Sequence, residues 1–137
     1  MKPSPLKRYF DHEKPIVYSK AIEYVALATD LLQDVPKSIA VWDQIDRAST
    51  SIPLNIAEGT GKFTIADKCR FYDNARGSAL ECAACMDVLV SKKLLSPERV
   101  LSGKELLSEI VAMLLGLIKS TSPSRVYEEP PEYGSAG

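Results

Sequence analysis

Histidine is nearly missing from this sequence, with His12 the single one among 137 residues. It falls in an N-terminal stretch with no periodicity, so a Ser-His-Asp or Cys-His site is excluded. Di-iron bundle chemistry is excluded too, because no glutamate stands three residues before that histidine. Cysteine is sparse and odd in number, with only Cys69, Cys82 and Cys85. No disulfide framework is therefore expected, and a reduced, cytoplasmic setting is. No segment alternates apolar and polar residues as a strand would, and no hairpin dipeptide joins β-rich runs. Long apolar runs are also lacking: the longest, Ile110–Ile118, is far short of the ~20 residues a membrane helix needs. The N-terminal Lys2, Lys7, Arg8 and Lys14, interleaved with Pro3 and Pro5, do not have the shape of a secretory signal. Charge of one sign does not dominate either. Lysine and arginine number 17 against 18 acidic residues, for a net charge of −1, so no global field advertises a polyanion.

What is present is helical. The hydrophobic fraction of 45% suits one folded domain with a single core. Val17, Ala21, Tyr24, Ala28 and Leu31 recur at steps of three and four after Pro15, and Pro36 stops them. A second face carries Trp42, Ile45, Ser49, Ile52, Ile56 and Gly59. Pro53 interrupts that helix and predicts a bend, with Ser49 and Thr50 placed to satisfy freed backbone groups. Thr64-Ile-Ala-Asp67 resembles a capping box. It opens a long helix with Ile65, Tyr72, Ala79 and Met86 at heptad steps. Ser96-Pro97-Glu98 is a strong helix start, followed by Val100, Leu107 and Leu114, with Pro123 as the stop. The spacing predicts an all-α fold of four antiparallel helices near 15–34, 38–59, 64–92 and 97–121. Residues 1–14 read as a flexible arm. Residues 122–137, with Glu128, Glu129 and Glu132, read as a disordered acidic tail. The apolar character of 110–118, broader than one bundle core needs, predicts self-association.

The candidate chemistry is thin. Cys82-x-x-Cys85 supplies half of the four ligands zinc needs. Cys69 lies about 20 Å away along the same helix, so small core residues are the better reading. Gly59-Thr-Gly-Lys62 lacks the first glycine and the final Ser or Thr of a phosphate-binding loop, having Ile56 and Phe63 there. Lys62 beside the amide donors of the third helix remains a possible phosphate contact. No catalytic residues, metal site or cofactor are expected, and the chain reads as a non-enzyme.

Two groups of residues stand out. Asn55, Glu58, Ser78 and Glu81 sit beside Ile52, Ile56 and Ala79, where polar groups are costly unless paired. They are expected to register the second helix on the third through hydrogen bonds. Arg47, Lys62, Lys68, Arg70 and Arg76 lie around the second interhelical turn, interleaved with Phe63, Phe71 and Tyr72. One reading is phosphate pairing beside stacked bases. The other is aromatics facing the core, with the arginines held by Asp46, Asp67 and Asp73.

Gln44-Ile-x-Arg47, Ser51-Ile-Pro-x-Asn-Ile-Ala-Glu-Gly59 and Gly77-Ser-x-x-Glu81 carry a family resemblance. The chain resembles the bacterial four-helix-bundle proteins encoded in intervening sequences of 23S ribosomal RNA genes. That resemblance covers residues 15–121. It implies an up-and-down bundle assembling as a ring-like homopentamer. It also implies kinship with accessory proteins of diversity-generating retroelements, which bind a reverse transcriptase and structured RNA. The function expected is an oligomeric adaptor for nucleic acid or a nucleic-acid enzyme. The alternative is a homo-oligomeric scaffold that binds only protein or a small ligand.

Overall fold

The computed structural model describes residues 8–124. Residues 1–7 and most of the expected acidic tail, from residue 125 on, lie outside that range. Four helices are present: α1 (Ile16–Leu32), α2 (Ala40–Gly61), α3 (Ile65–Ser91) and α4 (Pro97–Thr121). There is no strand among the described residues. Residues 11–13, expected within a loose arm, form a single 3-10 turn that packs against α1 and α2. There His12 stacks on Phe10 and meets Tyr18 edge-on.

Local chemistry sets the helix limits. Thr64 Oγ1 accepts the Asp67 amide at 3.1 Å, and Ser96 Oγ accepts that of Arg99 at 3.2 Å, so both N-termini are capped as expected. The reciprocal half of the Thr64 capping box is not formed, because the Asp67 carboxylate turns to Arg70. At the end of α3, Lys93 adopts φ 62°. Leu94 N–H then reaches Leu89 O and Lys93 N–H reaches Val90 O, closing the helix in a Schellman motif.

Pro53 is buried inside α2. Its missing N–H deprives the Ser49 carbonyl of a donor. The hydroxyls of Ser49 and Thr50 do not compensate there; both donate to Asp46 O, at 3.1 and 2.9 Å.

Each helix packs on two neighbours in cyclic order, α1 on α2 and α4, and α3 on α2 and α4. The backbones of the diagonal pairs stay apart, and core side chains fill the space between them. Tyr24, Ile45, Ile52, Ile56, Met86, Leu107 and Ile110 are fully enclosed at the centre. Tyr24 Oη has Met86 Sδ at 4.0 Å, a weak acceptor for a buried phenol. Trp42 Nε1 donates to Leu32 O at 3.1 Å, tying the last turn of α1 to α2. Arg99 reaches Asp30 and Asp34 at 3.1 and 3.3 Å, linking α4 to the same end of α1.

The apolar stretch 110–118 is largely used internally. Ile110, Leu114 and Ile118 are buried, and Val111, Met113 and Leu117 pack against the core. Leu115 alone among its large side chains is exposed. Exposed apolar side chains lie on every helix: Ile16 and Ile22 on α1, Leu54 on α2, Ile65, Leu80 and Val88 on α3, and Leu101 on α4.

Candidate nucleic-acid interface

The α2–α3 interface is the most extensive in the bundle, and its small residues explain why. At Gly59 a Cβ would lie 2.7 Å from Tyr72 Cε1 and 3.1 Å from Lys68 O. Only a glycine lets the start of α3 settle on the end of α2. Tyr72 then turns inward, 3% exposed, with its hydroxyl 3.1 Å from Thr60 Oγ1.

Further along the same interface is a polar ladder. Asn55 Nδ2 donates to both Ser51 O and Ser51 Oγ at 2.8 Å, and Ser78 Oγ lies 2.9 Å from Ser51 Oγ. Asn55 and Ser78 therefore meet through Ser51, which opens the Ser51–Gly59 motif but lies outside the expected network.

Glu58 and Glu81 correct the expectation. Glu58 is exposed and faces Lys62 at 3.6 Å on its own helix. Glu81 is exposed and makes no hydrogen bond or ion pair among the described residues. It lines an open groove of about 370 Å³ with Gln44, Arg47, Ser51 and Ser78.

The five cations do not form one cluster. Arg47 belongs to that groove, about 22 Å along α2 from Lys62 at the usual rise per residue. Arg76 is half-buried, and its Nε is enclosed with no partner among the described residues. It lies about two turns beyond Arg70 and rotated well away from it.

Lys62 and Arg70 share one aromatic ring, and Lys68 serves the same turn. Lys62 Nζ lies 5.1 Å from the centre of the Phe71 ring, and Arg70 Cζ lies 4.9 Å from it. Lys68 Nζ donates to Thr60 O at 2.9 Å, bridging the turn. Both outer cations also have carboxylates, Glu58 for Lys62 and Asp67 for Arg70, at 3.6 and 3.5 Å. These are long, exposed pairs within one helix, worth about 0.3–0.5 kcal/mol each. A phosphate can displace carboxylates held that loosely.

The aromatics divide three ways. Tyr72 is core, Phe71 is half-buried under two cations, and Phe63 is 101% exposed at the tip of the connection. Beside Arg70 a cleft of about 660 Å³ opens between Ile65, Cys69, Asp73 and Ser122.

The cysteines pack rather than react. All three are buried and free, and burial raises the Cys82 thiol to about 12, leaving almost no thiolate near neutrality. No group of three metal-ligating side chains occurs among the described residues. No helix among them is long and apolar enough to cross a membrane.

Comparison with the curated proteins gave no match. Among solved structures, a protein with unknown function from the S23 ribosomal protein family of Bacteroides thetaiotaomicron VPI-5482 is similar to this chain. It shows 25% identity and a TM-score of 0.71, over 76% of this chain and 99% of that one. The family model for 23S rRNA-intervening sequence proteins matches residues 13–116. With four helices and no strand among the described residues, and that match over most of its length, the chain belongs to the 23S rRNA-intervening sequence protein family.

Proposed function

We propose that this protein is a non-enzymatic, homo-oligomeric adaptor that binds structured nucleic acid through the α2–α3 end of the bundle. The observation that carries this reading is the seating of Lys62 and Arg70 on Phe71, with Lys68 beside them. Both cations lie about 5 Å from the centre of one ring, so their charges are within about 10 Å of each other and within reach of one phosphate backbone. Phosphates fit such a site without contacts to base edges, which gives affinity with little sequence preference. Assembly around a symmetry axis, five copies on the resemblance described above, repeats the site and multiplies its field. A nucleic-acid enzyme such as a reverse transcriptase is the partner that the same resemblance suggests.

A second reading has its own support. Leu80, Val88 and Leu101 are exposed on α3 and α4, which suits a protein-only scaffold. Charge reversal separates the two. Lys62→Glu with Arg70→Glu abolishes binding of a structured RNA if the first reading holds. Lys68 is the poorer choice for that test, because removing it also unties Thr60 O.

A further inference from the structure

We infer that Phe63 is a stacking platform for an unpaired base, so the nucleic acid bound here is single-stranded at the point of contact. The inference rests on the adaptor reading and adds the class of nucleic acid.

Phe63 is 101% exposed, whereas Phe71 is half-buried and Tyr72 buried. A fold normally recovers some of the hydrophobic contribution of such a ring by laying it on the nearest surface. Here the backbone is fixed on both sides. Lys62 N–H is bonded to Gly59 O at 3.2 Å, and Thr64 Oγ1 caps α3 through the Asp67 amide at 3.1 Å. Lys68 clasps Thr60 O across the gap at 2.9 Å. The main chain that carries the ring is thus held on both sides, and little backbone ordering remains to be done on binding.

The chemistry around it selects the occupant. Lys62 is the adjacent residue, and it shares the Phe71 ring with Arg70. A ligand for this turn should supply negative charge and a flat π face together. A nucleotide has both, and base–aromatic stacking tolerates any base. A duplex hides its base faces except at its ends, so the contact needs a loop, bulge or overhang.

The test uses the full chain and two labelled RNAs, a stem closed by a uridine loop and the same stem as a blunt duplex. The loop RNA is expected to bind about 5- to 100-fold more tightly, the equivalent of one stacked base. Phe63→Ala should erase that preference yet retain salt-dependent duplex binding, and Phe63→Trp should preserve it. Equal affinity for both RNAs, or an undiminished loop preference in Phe63→Ala, overturns the inference while leaving the adaptor reading standing. If neither RNA binds even at low salt, the adaptor reading itself fails and this inference falls with it.

Discussion

Ser51 and Ser78 face each other across the α2–α3 interface with their hydroxyl oxygens 2.9 Å apart. Ser51 also accepts from Asn55 Nδ2 at 2.8 Å, so it stands between the two side chains expected to set the helix register. Replacing Ser51 with alanine strands the Ser78 hydroxyl and weakens the hold on Asn55. The expected loss is about 1–2 kcal/mol, read as a lower urea midpoint with an unchanged m value. Glu58→Gln and Glu81→Gln should stay within about 0.5 kcal/mol of the parent, since both side chains are exposed. A larger effect at the two glutamates than at Ser51 would refute this hierarchy.

The bundle's glycines should separate sharply on substitution. At Gly59 a new Cβ meets Tyr72 and the Lys68 carbonyl, and backbone cannot give way as a flexible side-chain tip does. Gly59→Ala is expected to cost about 1–3 kcal/mol. At Gly77, within α3, nothing lies within 4 Å of the added atom. Gly77→Ala should instead stabilise by about 0.5–1 kcal/mol. Thermal unfolding of the two variants side by side measures both, and a shift of the same sign in each would contradict this packing.

Alkaline pH gives a third test. The Cys82 thiol is raised from 9.0 to about 12, chiefly by burial. An unfolded chain releases that proton near pH 9, whereas the folded one holds it until about 12. The unfolded state therefore binds fewer protons in this window, and stability falls as pH rises through it. Burial raises Tyr24 in the same direction. Urea midpoints should decline from about pH 9 upward, less steeply in Cys82→Ala. A midpoint that rises over that range would exclude the buried, neutral thiol.

Much of the fold was legible because helix limits depend on neighbours in sequence. Thr64, Ser96 and Pro97 act within one turn, and the observed ends fall within a few residues of those expected. The site was less legible because it depends on rotation and rise. Glu58 is two residues from Ile56, and at about 100° per residue that step points it outward. Arg47 and Lys62 are close in the written sequence but far apart along a helix. Phe63 fitted either reading of its cluster, stacked base or core, because residue type alone does not say which way a ring faces. The available signal was its place between the Gly61 stop and the Thr64 cap, off both helical stripes. Cross-bundle ties such as Trp42 to Leu32 and Arg99 to Asp30 leave no local pattern to read.

The most direct test of the adaptor reading is the salt dependence of RNA binding by the full chain and by Lys62→Glu/Arg70→Glu. Phosphate pairing releases counterions, and a site of roughly three cations should weaken about 10- to 100-fold between about 50 and 200 mM salt. Fluorescence anisotropy with a labelled, structured RNA is expected to show that slope for the parent and no binding for the doubly reversed variant. Absence of binding by the parent at the lower salt, or binding indifferent to both salt and charge reversal, would contradict the account.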